Sequence, residues 1–163
     1  MNGYTHGSST VAADSGTYHS GQTSSAATKY NLKNAHSFGD FLAKNEENML
    51  NRSLSEHLMM LLKKKGLKRA DVIRETRLDK AYVYQIFKGD KNPSRDKLIV
   101  IAFGMHLNEE DTQRMLKLAG YSELYPRVAR DALILFAIQR DMSVWQTDEA
   151  LDQNGFPTLH SAE

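Results

Sequence analysis

From Ser53 onward the apolar positions recur with helical spacing. Leu54, Leu58, Leu61 and Leu62 fall at i, i+4, i+7 and i+8 and mark one face of a helix. Ser53, with Glu56 three residues on, reads as its capping box. Lys63, Lys64 and Lys65 complement the negative end of the helix dipole, and Gly66 stops the helix. A second, short helix is predicted from about Arg69 to Glu75 on the apolar pair Val72 and Ile73, with a turn at Thr76, Arg77 and Leu78. Asp79 then caps a third helix, whose apolar face is Val83, Ile86 and Phe87 and whose end is Gly89. After the loop Asp90-Lys91-Asn92-Pro93, Ser94 opens a fourth helix. Its Leu98, Ile99, Ile101, Ala102 and Phe103 are apolar enough to place it at the centre of the core. Asn108 opens a fifth, with Glu109, Glu110 and Asp111 at its positive end, Met115, Leu116 and Leu118 inward, and Gly120 after it.

The remaining stretch makes sense when it is laid over the preceding one at an offset of 35 residues. Arg95, Asp96, Leu98, Ile99 and Ala102 then fall on Arg130, Asp131, Leu133, Ile134 and Ala137. Thr112, Leu116 and Gly120 fall on Thr147, Leu151 and Gly155, and Tyr121 falls on Phe156. A period of this size built from two helices is that of a helical-hairpin repeat. It predicts a second pair of helices, about 127–139 and 143–154, stacked on the first. The alternative is chance similarity between two amphipathic hairpins. On either reading Leu133, Leu135, Phe136, Ile138, Val144 and Leu151 require a partner surface.

Residues 1–37 carry no such pattern. Ser, Thr, Gly, Ala, Asn and His dominate, and Val11 is the sole large aliphatic before Leu32. A segment of this kind buries too little to balance the entropy of ordering, so a disordered tail is expected. Its seven Ser and five Thr could accept phosphate, though a plain solubilising tail explains them better. Phe38, Phe41, Leu42, Met49 and Leu50 predict a short, weakly amphipathic linker helix over 38–52. The whole reads as an all-α chain with a tail over 1–37, a linker helix over 38–52, a helical domain over 53–121 and a C-terminal hairpin over 122–163.

Composition narrows the function classes. With no Cys, disulfides, thiolate metal sites and a Cys nucleophile are excluded. The N-terminus lacks a basic-then-apolar secretion signal, and no apolar run approaches the length of a membrane span, so a cytoplasmic protein without a membrane partner is expected. The six His are scattered at 6, 19, 36, 57, 106 and 160, with no pair at ligand spacing, and no phosphate loop or nucleophile motif is present. No catalytic residues, metal ligands or cofactor are therefore expected. His57 and His106 read as partly buried structural residues, and Glu109-Glu110-Asp111 as complements to a helix N-terminus. The formal net charge of +1 conceals a division along the chain. Residues 1–53 are neutral. Residues 54–97 hold twelve basic and six acidic side chains, a net of +6, while 98–163 hold five basic and ten acidic, a net of −5. A basic block inside a near-neutral chain is the footprint of a polyanion-binding face, or else simply a solvated surface.

Gly66-Leu67, Val72-Ile73, Leu78, Val83, Ile86 and then Gly89 and Pro93, at this spacing, strongly resemble the Xre or phage-repressor (lambda-repressor-like) helix-turn-helix family. The resemblance covers about 54–107. Residues 66–74, 84–89 and 93–98 also make the stretch 53–160 similar to a group of small helix-turn-helix proteins of Firmicutes. The resemblance implies a five-helix domain over 53–121 that binds double-stranded DNA, with the third of these helices, about 79–88, in the major groove. Carried onto this chain, the base-reading residues would be Lys80, Ala81, Tyr84 and Gln85. Lys80 suits guanine O6 and N7, Gln85 suits adenine N6 and N7, and Ala81 or Tyr84 suits a thymine methyl. Lys68, Arg69, Lys88, Lys91 and Asn92 would hold phosphates. The tyrosines have a competing role in packing, and Lys80 one as a plain surface lysine. Two positions depart from the family: Ile73 stands where a small residue is usual, and Arg77 where Gly is usual. Both imply an altered crossing or turn. The resulting expectation is a homodimeric transcriptional regulator that reads a palindromic site and pairs through the C-terminal hairpin. The rival is a helical adaptor that binds a protein through the acidic C-terminal region and Trp145 and does not read DNA sequence.

Overall fold

Six helices begin where a side-chain oxygen accepts the backbone N–H three residues ahead. The caps are Ser37, Ser53, Asp79, Ser94, Asn108 and Ser143. Each satisfies one of the N–H groups that a helix start leaves without a partner. At Ser143 the box is complete, since Gln146 Oε1 also accepts the Ser143 N–H at 2.9 Å. The computed structural model describes residues 25–46, 49 and 53–161. Among these residues the protein is all-α, with nine helices and no strand. It divides into two compact units, residues 1–51 and 52–163.

In the first unit α1 (Ser25–Lys33) and α2 (Phe38–Asn45) form a small hairpin. The expected tail over 1–37 is thereby corrected. Residues 25–33 are helical, while the expectation for 1–24 lies outside the described residues. Asn31 Nδ2 donates to Asn45 Oδ1 at 3.0 Å, and the buried Phe41 lies beside Phe38 with ring centroids 6.3 Å apart. The linker helix expected over 38–52 is shorter than predicted, ending at Asn45. Residues 47, 48 and 50–52 of that span lie outside the described residues.

The second unit holds α3 (Leu54–Lys65), α4 (Arg69–Thr76), α5 (Lys80–Lys88), α6 (Arg95–Gly104), α7 (Glu109–Leu118), α8 (Ala129–Gln139) and α9 (Val144–Gln153). The bounds expected from the apolar pattern and the caps are met to within one or two residues. Every residue from Leu98 to Gly104 is buried, so α6 is the inner helix, packed against α4, α7 and α9. Gly104 sits at the closest approach. A Cβ there would meet Thr76 Cγ2 at 2.5 Å and Val72 Cγ1 at 3.2 Å, so side chains of α4 lie directly on the α6 backbone. Leu58, Leu61 and Leu62 of α3 and Val83, Ile86 and Phe87 of α5 close the core on the other side.

The 35-residue repeat has a definite geometry. Arg95 makes two contacts to Asp131, at 3.0 and 3.2 Å, and Arg130 makes two to Asp96, both at 3.0 Å. Arg95 Nε donates to the Ser122 carbonyl and Arg130 Nε to the Pro157 carbonyl, each at 3.1 Å. Gln113 Oε1 accepts the Leu124 N–H, and Asp148 Oδ1 accepts the Leu159 N–H. The positive backbone angles also repeat, at His106 (φ 53°) and Asp141 (φ 51°), and at Gly120 and Gly155. In each pair the equivalents are 35 apart, and the two Arg–Asp contacts cross from one hairpin to the other reciprocally. Likewise α7 packs on α8 as α9 packs on α6. The hairpins α6–α7 and α8–α9 are therefore related by an internal two-fold, not by the end-to-end translation of a solenoid. Of the C-terminal residues expected to need a partner, Leu135, Val144 and Leu151 are buried, Leu133 and Ile138 are half-buried, and Phe136 is 48 % exposed.

Candidate nucleic-acid interface

The corner between α4 and α5 is short: Arg77, Leu78 and Asp79 alone separate them. Arg77 closes α4 in the left-handed region, at φ 55° and ψ 23°, where a non-glycine residue costs on the order of 1 kcal/mol. Its guanidinium lies over the Trp145 ring, 5.1 Å from the centroid. Trp145 Nε1 donates to the Glu75 carbonyl at 3.1 Å, and His160 Nε2 stands 2.9 Å from the Thr76 carbonyl. The two rings stack at 4.4 Å, and His160 Nδ1 lies 2.6 Å from Asp148 Oδ2. The last carbonyls of α4, which the helix itself leaves unsatisfied, thus meet polar groups from the C-terminal hairpin. Ile73, the second departure from the family pattern, is half-buried against the core.

On α5, Val83, Ile86 and Phe87 are buried, while Lys80, Ala81 and Gln85 are exposed on the opposite side. Tyr84 is half-buried. Arg69 lies 4.2 Å above its ring centroid and Lys80 lies 5.8 Å from it. Tyr84 therefore packs, and its ring face holds the Arg69 guanidinium by a cation–π contact. Tyr82 is half-buried under Lys91, which is 5.6 Å from its centroid. Burial, and to a smaller degree Tyr121, raises the Tyr82 hydroxyl above the ordinary tyrosine pKa.

The expected phosphate-holding residues surround this face. Lys68 is exposed at the start of α4, Arg69 is half-buried beside it, and Lys88, Lys91 and Asn92 are exposed at the far end of α5. Lys88 is drawn toward Asp90, at 3.7 Å. No side-chain oxygen caps the α4 start, because the cap position is Lys68. Instead Asp71 accepts the Lys68 N–H at 2.8 Å and pairs with Arg74. Those two bonds, the backbone one first, hold the Asp71 carboxyl below its ordinary pKa. Between α3 and the α4 start lies an open groove of about 410 Å³. Met59, Leu62 and Leu67 form its floor, and Lys63, Lys68 and Arg69 its rim. Lys63 was not among the expected contacts, since in sequence it is one of three successive lysines at a helix end. Lys65, the last of them, turns away and donates to the His106 carbonyl at 2.6 Å.

Of the two histidines expected to be partly buried, His57 is buried in α3 but His106 is exposed. It occupies a left-handed position between Glu75, at 4.0 Å, and Asp141, at 3.7 Å. Among the described residues no helix is long and apolar enough to cross a membrane. Neither protein families, curated proteins nor solved structures gave a match to this chain.

Proposed function

We propose that the chain is a cytoplasmic, sequence-specific DNA-binding regulator of the Xre type. In this reading 53–121 is a lambda-repressor-like domain, and α4 and α5 are its helix-turn-helix. The observation that carries the reading is the two-sidedness of α5. Its apolar residues are spent on the core, while Lys80, Ala81 and Gln85 are exposed on one outward face. That face lies between two cationic shoulders, Lys68 and Arg69 on one side and Lys88 and Lys91 on the other. A helix presented in this way has the width for a major groove, with positive charge placed for the phosphates on either side. Lys80 and Gln85 carry the hydrogen-bonding groups for purine edges. Ala81, and Tyr84 only by its ring edge, border a thymine methyl. The net of +6 over 54–97 supplies the sequence-independent attraction. One such helix reads only a few base pairs, so the reading includes two copies on a palindromic site.

The test is selection of the full chain against a random duplex library, beside the Lys80→Ala/Gln85→Ala variant. An enriched motif that is lost in the double variant supports the reading. Weak, salt-sensitive and motif-free binding that the double variant leaves unchanged overturns it and favours the helical adaptor.

A further inference from the structure

The internal two-fold gives each face of one hairpin an equivalent on the other, and one such pair of faces is used unequally. On α6 the line Lys97, Ile101 and Gly104 receives a helix. Ile101 and Gly104 are buried, with Val72 and Thr76 of α4 lying against Gly104. The equivalent line on α8 is Ala132, Phe136 and Gln139. There Phe136 is 48 % exposed, and Val128 and Tyr125, at and before the start of α8, are 49 % and 52 % exposed. Arg140 lies over the Phe136 ring at 3.6 Å. The α8 face is thus the counterpart of a helix-receiving surface, apolar along Val128, Ala132 and Phe136, which succeed one another at single-turn spacing.

We propose that this face pairs with α8 of a second copy of the chain, antiparallel, about a two-fold at the level of Ile134. The self-complementarity is in size and in charge. Antiparallel pairing about Ile134 sets the small Ala132 of each copy opposite the large Phe136 of the other, twice over, so that a knob meets a hole at both places. It brings the exposed Arg127, just before α8, level with Asp141 of the second copy, just after it, again twice. Asp141, 3.7 Å from His106 of its own chain, is 86 % exposed and keeps a carboxylate oxygen open to a second cation. Parallel pairing would set Phe136 on Phe136, Arg127 on Arg127 and Arg140 on Arg140, a clash with like charges at both ends. An isologous contact of this kind closes on itself and yields a dimer, not a filament. The inference names the pairing surface for the two copies invoked above, but it is independent of whether they read DNA.

The test is sedimentation equilibrium of the full chain without DNA, up to roughly 100 µM, where a contact of the small transient class still associates. The wild type is expected to dimerise. Phe136→Glu, at an exposed position, is expected to be monomeric with an unchanged helical circular dichroism spectrum. Arg127→Glu is expected to raise the dissociation constant about tenfold, the equivalent of 1.4 kcal/mol. Adding Asp141→Arg is expected to restore it. Arg77 shows that this chain accepts arginine at a left-handed position such as that of Asp141. A monomeric wild type overturns the proposal, and so does a dimer that Phe136→Glu leaves intact. A dimer that loses association on Arg127→Glu but is not rescued by the second change overturns the antiparallel register.

Discussion

Arg95 and Arg130, thirty-five residues apart, each reach the aspartate that follows the other, so two ion pairs of the same form bind the hairpins reciprocally. All four side chains are largely screened from water, between 10 % and 22 % exposed, and Asp131 also accepts the Tyr125 N–H at 3.0 Å. Removing one partner strands a charge at the hairpin interface. Arg130→Ala and Arg95→Ala should each cost about 2–4 kcal/mol in urea unfolding, somewhat below the figure for a fully buried pair. The cycle of Arg95→Ala with Asp131→Asn should show coupling on the order of 1–3 kcal/mol. Additive effects would mean that the pair is not a unit.

Gly104 reverses a usual expectation. Glycine to alanine inside a helix ordinarily gains up to about 1 kcal/mol. Here the added methyl would enter the space of Thr76 Cγ2 and Val72 Cγ1. Gly104→Ala should therefore destabilise, by about 1–3 kcal/mol, because α4 must lift from α6. A rise in the unfolding midpoint would show that α4 rests further from α6.

Arg77 and Trp145 form a compensating pair. Arg77→Gly relieves about 1 kcal/mol of left-handed strain, but it loses the contact with the Trp145 ring and frees the unfolded chain. The net change should be under about 1 kcal/mol in either direction. Arg77→Val, branched at Cβ, should cost about 2 kcal/mol or more. Trp145→Phe keeps a ring but loses the donor to Glu75, for about 1 kcal/mol. Denaturant midpoints read all three.

Lys91 serves the DNA reading in a separable way. If it neutralises a phosphate, Lys91→Ala should lower the slope of log affinity against log salt by roughly 0.9 and leave the selected motif unchanged. A changed motif would place Lys91 at a base instead. An unchanged slope would make it only the partner of the Tyr82 ring.

Much of this was legible because the signals are local. Ser53, Asp79, Ser94 and Asn108 cap helices through contacts three residues away, and the apolar density of 98–103 marks a helix surrounded on every side. The 35-residue echo foretold the second hairpin, but not its two-fold. Identity between halves is blind to which aspartate each arginine meets. Helix α1 escaped because Ser25–Lys33 has no apolar stripe, and the start of α4 lacks a capping oxygen because Asp71 takes its place from within the helix. The spacing leaves Tyr84 between a base contact and a packing residue, and the geometry adds its ring contact with Arg69. The contacts of Trp145 and His160 lie 70 and 84 residues from their partners, beyond any pattern of spacing.

Those distant contacts change what counts as the smallest autonomous piece. The corner between α4 and α5 ends in two carbonyls that the α9 segment completes, and its one strained residue leans on an indole from the same segment. A fragment cut after Gly120 would keep all five predicted helices of the 53–121 domain and still lose the groups that finish its turn. The outward face of α5 and the C-terminal hairpin should accordingly exchange their amide hydrogens as one cooperative unit, opening together or not at all.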